Sequence, residues 1–181
     1  MTISFITTVK NTVANNKEET DMNLIAFTGF KQVGKTTSAK FLTEDILSFA
    51  EPIKLIAKKN FSWDEIKDEK GRKLLQGIGH IARAYNSRVW VDILESNLIK
   101  LKQFYSVYED KIFCVDDLRF DNEAEMLKEH GAIIIKITRP GYESDGHSSE
   151  LGIDEKFIDL TVQNDSNIEA LEKKIKDLFP Q

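Results

Sequence analysis

Hydrophobic and polar positions along this chain switch between a period of about two and a period near 3.6. Leu24-Ile25-Ala26-Phe27-Thr28 is a short apolar run stopping at Gly29, and reads as a buried strand. Lys35 to Leu42 is helix-like, and Ile46-Leu47-Ser48-Phe49 is a weak second strand followed by Pro52 at a first helical position. Ser62-Trp63-Asp64-Glu65 has the spacing of a capping box. Leu74, Leu75, Ile78, Ile81, Ala82 and Tyr85 then share one helical stripe, interrupted by Gly77 and Gly79. Val91, Leu94, Leu98, Leu101 and Tyr105 mark a longer amphipathic helix.

Ile112-Phe113-Cys114-Val115 is apolar throughout and ends in Asp116-Asp117, a buried strand with acid at its C-terminal end. Asp121 is placed to cap a helix that Gly131 ends. Ala132 to Ile137 is a third strong strand, and the alternating Phe157 to Val162 suggests a strand nearer an edge. A second capping box, Ser166-Asn167-Ile168-Glu169, opens a helix with Leu171, Ile175 and Leu178 inward until Pro180. Strands alternating with helices, several apolar on both faces, predict a mainly parallel sheet of roughly five strands covered on two sides.

Composition narrows the class. A chain of 181 residues, 41 % hydrophobic and 30 % charged, fills one domain. No run nears the roughly eighteen apolar residues of a membrane span, and Met1–Asn23 lacks a signal-peptide layout. One cysteine, Cys114, excludes an intramolecular disulfide, and a net charge of −5 argues against bulk nucleic-acid or anionic-membrane binding. The expectation is a soluble cytoplasmic protein, in the host cytoplasm if a phage encodes it. Residues 1–21 read as a flexible appendage, with Met22 as an alternative start, and 22–181 as a single domain. Only five of the 25 basic residues are arginines: Arg72, Arg83, Arg88, Arg119 and Arg139. Guanidinium grips phosphate bidentately where ammonium cannot, so these five are the first candidates for anion contacts.

Gly29-Phe30-Lys31-Gln32-Val33-Gly34-Lys35-Thr36 matches the phosphate-loop pattern at every fixed position, with a strand before it and a helix after. The glycines let the backbone curl so that successive N–H groups face an anion, and the helix adds its positive end. Lys35 is expected to reach the β- and γ-phosphates, and the Thr36 hydroxyl to ligate Mg²⁺. The loop implies a bound nucleoside triphosphate. Asp116 and Asp117 supply the carboxylate that orients the metal, and alternation alone leaves open which one does so. Cys114 is then a small buried strand residue.

Arg119 and Arg139 both follow strand ends, the edge where ligands bind in open α/β sheets. Arginines there can stabilise a migrating phosphoryl group. Arg139-Pro140-Gly141 opens a polar stretch whose glycines make it a lid candidate over about 139–152, the alternative being a plain surface loop.

Asp117-Leu118-Arg119-Phe120-Asp121-Asn122-Glu123, Arg139-Pro140-Gly141 and Asp145-Gly146-His147-Ser148-Ser149-Glu150, in that order, resemble the bacteriophage-type deoxynucleoside monophosphate kinases. Arg72-Lys73-Leu74-Leu75-Gln76-Gly77-Ile78-Gly79 with Trp90 is similar to that family's acceptor-binding helices, and Val162-Gln163-Asn164-Asp165 to its final strand and loop. The resemblance covers about 22–179. It implies a three-layer P-loop fold with a helical acceptor-binding insert (about 52–105) and a short lid. The implied reaction is transfer of the γ-phosphoryl of Mg-ATP to a deoxynucleoside monophosphate. It places Gly29, Lys31, Val33, Gly34, Lys35, Thr36, Thr37 and Asn164 at ATP, and Thr36, Asp116 and Asp117 at the metal. Arg72, Gln76, Gly79, Arg88, Trp90, Asp117, Arg119 and Glu123 fall at the acceptor, with Lys35, Arg119 and Arg139 catalytic. The insert is much shorter than in larger members, and the leader is extra.

Beside this stand open readings of single residues. Trp90 or Phe61 could stack on the acceptor base, and either Arg83 or Arg88 could touch its phosphate. His147 has a functional case only through the lid. The competing readings are a P-loop kinase for another metabolite, of the dephospho-coenzyme A or phosphomevalonate type, and a nucleotide switch. Asn164-Asp165 lacks the lysine that a guanine-specific switch carries in this element. Whether the protein forms a homodimer is open at this stage.

Overall fold

The computed structural model describes residues 22–105, 111–142 and 152–179. The leader 1–21 and most of the expected lid, including His147, lie outside the described residues.

Five parallel strands form one sheet in the order β2-β3-β1-β4-β5. They are β1 (Met22–Thr28), β2 (Ile46–Leu47), β3 (Lys111–Val115), β4 (Ile133–Thr138) and β5 (Leu160–Gln163). Alternation along β1 sorts the core into two halves. Leu24 and Ala26 join Phe113, Val115 and Ile134 on one face, while Ile25 and Phe27 join Cys114, Ile135 and Ile137 on the other. The second face is covered by α1 (Lys35–Lys40) and α6 (Ile168–Leu178), whose Ala39, Leu171 and Ile175 are buried against it. The first is covered by α2 (Glu51–Phe61), α3 (Glu69–Tyr85), α4 (Val89–Tyr105) and α5 (Asp121–Glu129). The three-layer architecture expected from the strand–helix alternation is what forms, and β5 lies at an edge.

Several local expectations differ. Ser62 does not cap a helix; it ends α2 in the left-handed region at φ 51°, and α3 starts later, where the Asp68 side chain accepts from Gly71 N–H. In α3 only Leu75, Ile78 and Ala82 of the expected stripe pack inward, while Ile81 and Tyr85 are exposed. Asp121 is the first residue of α5 rather than its cap. Glu123 reaches back to the Phe120 N–H, and the Asp121 carboxylate instead accepts from Asp154 N–H at 2.7 Å. Residues Glu155–Phe157 wind into a 3₁₀ turn capped by Asp154, so β5 is shorter than its alternation suggested. At α6 the capping residue is Asn167, accepting from Ala170 N–H, not Ser166. Short polar side chains compete for backbone N–H groups at every helix start, and packing decides which of two neighbours wins. Among the described residues, no helix is long and apolar enough to cross a membrane.

Candidate active site

Gly29 and Gly34 hold the loop between β1 and α1 at φ 128° and 110°, backbone that side chains rarely adopt. A Cβ on Gly29 would lie 2.2 Å from the Ile137 carbonyl oxygen, so β4 presses the loop into its curl. Lys35 Nζ donates to the carbonyls of Gly29 and Phe30, both at 2.7 Å, across the mouth of that curl. Asn164, just past β5, donates from Nδ2 to the Val33 carbonyl at 2.9 Å and pins the far side. Thr37, Arg139 and Asn164 line one cavity of about 360 Å³ with Gly34, Lys35 and Thr36. Lys31 is half-buried on the loop's outer part.

Pairing of β1 with β3 sets Ala26 beside Val115, so the first carboxylate after β3 falls next to the loop. Thr36 Oγ1 donates to Asp116 Oδ2 at 2.5 Å. Asp117 turns to the opposite face. Its carboxylate accepts from Ser48 Oγ (2.7 Å), Phe49 N–H (3.0 Å) and Ala50 N–H (2.9 Å), capping the start of α2. Burial pushes its carboxyl up, opposed by the Ser48 hydrogen bond. The two aspartates, left undecided by alternation, thus separate: Asp116 faces α1 and the loop, and Asp117 is committed to holding α2. A hydroxyl and a carboxylate at contact distance beside a phosphate loop are the hard oxygen donors that suit Mg²⁺. Cys114 is buried, and burial, then the Asp116 charge, pushes its thiol up to about 12. A buried thiol kept protonated in this way serves as a packing residue of the strand.

The segment after the aspartates meets the helical insert at Glu123. This carboxylate is 1 % exposed and accepts from the backbone N–H groups of Arg119 (3.0 Å) and Phe120 (3.2 Å). Arg83, from α3, contacts it at 3.3 Å and lies over the Phe120 ring at 4.3 Å. Burial, then the Asp117 charge, pushes the Glu123 carboxyl from 4.5 up to about 7. Between those values the folded chain binds more protons here than the unfolded chain, so stability falls as pH rises through that window and levels off above it. Relative to Glu123→Gln, the wild type is expected to lose on the order of 3 kcal/mol across the window. Urea unfolding of both chains at about pH 5 and about pH 8 measures this; parallel behaviour would show that Glu123 is already ionised at the lower pH.

The remaining acceptor candidates separate. Arg72 and Gln76 are exposed on α3, one turn apart. Gly79 and Trp90 are buried: the indole is 2 % exposed and donates from Nε1 to the Gly79 carbonyl at 3.3 Å. A Cβ on Gly79 would meet Arg83 Nη1 at 3.1 Å and Ile53 Cδ1 at 3.2 Å. Of the two open readings of Trp90, stacking and packing, its burial favours packing, and it continues the inward stripe of Val91, Leu94 and Leu98. Phe61 is exposed at the end of α2. Arg88 is held on the surface by Asp92 (3.0 Å) and Glu95 (3.1 Å), so of Arg83 and Arg88 the fold brings in Arg83. The spacing Arg72, Gln76, Gly79, Arg83 along one helix face carried that signal. Ser48 had none, standing at the end of a weak strand. Arg139 is exposed, with its guanidinium 4.8 Å from the Tyr142 ring centre.

A parallel sheet, a phosphate loop opening a helix and a hydroxyl–carboxylate pair at the strand ends together define an α/β protein of the P-loop kinase type. The family model for deoxynucleotide monophosphate kinase matches residues 65–175. A protein of Acanthamoeba polyphaga mimivirus, whose name proposes a deoxynucleotide monophosphate kinase, is 32 % identical over 184 residues, 85 % of this chain and 94 % of its own. The deoxynucleotide monophosphate kinase of Enterobacteria phage T4 is 34 % identical over 109 residues, 59 % of this chain and 44 % of the phage protein. That of Escherichia phage RB69 is 29 % identical over 111 residues, 60 % and 44 % respectively. The match thus spans less than half of either phage protein and nearly all of the mimivirus one. The chain belongs to the deoxynucleotide monophosphate kinase family.

Proposed function

We propose that this protein transfers the γ-phosphoryl group of ATP to a deoxynucleoside monophosphate, giving ADP and a deoxynucleoside diphosphate. One observation carries the reading. The segment 116–123 supplies Asp116 to the Thr36 hydroxyl at its start and Glu123 to Arg83 of the insert at its end, so a single strand exit joins the donor loop to the acceptor helices.

In this reading the loop N–H groups and Lys35 hold the donor phosphates. Thr36 and Asp116 would hold Mg²⁺, which supplies charge neutralisation on the phosphate oxygens. An oxygen of the acceptor monophosphate attacks the γ-phosphorus, and the bond to the β-phosphate oxygen breaks, leaving ADP. That acceptor oxygen is already ionised near neutral pH, so no general base is required. Charge and alignment do the work instead. Arg119 and Arg139 neutralise the migrating group. Arg72 and Gln76 bind the acceptor from α3, while Glu123 fixes Arg83 and the Arg119 backbone in place.

The test is coupled ADP release with Mg-ATP against each deoxynucleoside and ribonucleoside monophosphate singly. Turnover that requires a deoxynucleoside monophosphate is the expected result. ADP release that ignores every nucleotide acceptor would sink the proposal.

A further inference from the structure

β4 ends at Thr138, and the chain reverses at once. Tyr142 N–H donates to the Arg139 carbonyl at 3.2 Å, with Pro140 second in the turn and Gly141 third at φ 79°. Proline followed by glycine at positive φ is the layout of a type II turn, which brings its first and fourth residues close together. A Cβ on Gly141 would meet nothing within 4 Å, so the backbone conformation rather than space calls for glycine there. The turn is fixed at its root, where the Thr138 carbonyl accepts from Asn164 N–H at 2.7 Å.

The fourth residue of the turn carries a ring. Tyr142 is half-buried and packs against the half of the core that holds Ile137 and Val33. Arg139 stands over that ring, its guanidinium carbon 4.8 Å from the centroid. The same arginine lines the cavity formed by Gly34, Lys35 and Thr36 of the phosphate loop. Arg83 and Arg88 pair with carboxylates, the first with Glu123 and the second with Asp92 and Glu95. Among the described residues no carboxylate pairs with Arg139; its partner is the ring. The difference has a chemical consequence. A carboxylate would orient the guanidinium and cancel its charge as well. A ring face orients it and leaves both the charge and N–H donors to phosphate oxygens. Without a platform, an exposed arginine would sample many rotamers, and ordering it at each turnover would cost rate.

We propose that Tyr142 is a positioning residue for phosphoryl transfer: its core-anchored ring holds the Arg139 guanidinium, with its charge uncancelled, at the phosphate loop. The inference rests on the part given to Arg139 in the kinase reading and deepens that reading. Its test varies the charge on the ring face at nearly constant shape, so that folding is unaffected. The full chain is made with phenylalanine, then mono-, di- and trifluorophenylalanine at position 142, each with Arg139 and with Arg139→Ala. Tyr142→Phe is expected to keep kcat within about twofold of wild type. Successive fluorination should then lower kcat stepwise, by roughly 3–30-fold in all, with KM for the monophosphate unchanged. In Arg139→Ala the series should be flat. A ring that merely packs would give no steps in either background, or equal steps in both, and either result would overturn the proposal. If no monophosphate is turned over, the kinase reading fails and binding decides instead. Calorimetric titration with Mg²⁺ and the β,γ-imido analogue of ATP then upholds the inference if affinity falls stepwise only in the chains that keep Arg139. Steps that are absent, or shared by both backgrounds, overturn it.

Discussion

Lys35→Ala is expected to abolish measurable phosphoryl transfer, lowering kcat/KM by at least roughly 10³-fold, while the chain stays folded. The ammonium is the one cation carried on the phosphate loop's own helix start, and it stands across the mouth of the curl through the Gly29 and Phe30 carbonyls. Removing it deletes the positive charge closest to the transferring group. The backbone curl remains, because Gly29 is shaped against β4 and Val33 is held by Asn164. Coupled ADP release measures the loss, and thermal unfolding of the variant checks the fold. Turnover within tenfold of wild type would remove Lys35 from the reaction.

The second large effect separates two neighbours. Asp116→Ala should leave stability nearly unchanged and raise the Mg²⁺ concentration needed for half-maximal turnover by on the order of 10–100-fold, because its carboxylate meets the Thr36 hydroxyl at the loop. Asp117→Ala should instead cost about 2–4 kcal/mol of folding free energy. It strands Ser48 Oγ and the N–H groups of Phe49 and Ala50, all bonded to that one carboxylate. Denaturant unfolding and Mg²⁺ titration of the two variants form a crossed pair, and the reverse pattern would exchange the roles of the two aspartates.

Much of the site was legible in the chain because it is local. The loop from Gly29 to Thr36 needs its glycines, lysine and threonine at fixed spacing, since backbone curl and helix start are set within eight consecutive residues. The acid after the apolar run at 112–115 was visible for the same reason. The division of labour between Asp116 and Asp117 was not, although strand alternation carries straight through the end of β3. Asp116 continues the face of Cys114 and α1, and Asp117 the face of Val115 and α2. Until the layers are known, alternation states only that the two differ.

Trp90 shows the opposite limit. An aromatic next to a candidate pocket fits stacking and packing equally well in sequence, and its burial under α3 decides for packing. Arg83 and Arg88 likewise look equivalent on one amphipathic insert. Asp92 and Glu95 hold one outside, while Glu123, forty positions away, draws the other in.

By itself the sequence determined the order of strands and helices and the phosphate loop, because these rest on periodicity and short-range spacing, and it carried the motifs by which the chain resembles the kinase family. The tertiary structure alone decided which carboxylate meets the loop, which arginine reaches Glu123 and that Asn164 pins the Val33 carbonyl. Each of those pairs residues far apart in the chain, and their distance is set by how two faces of one sheet are covered.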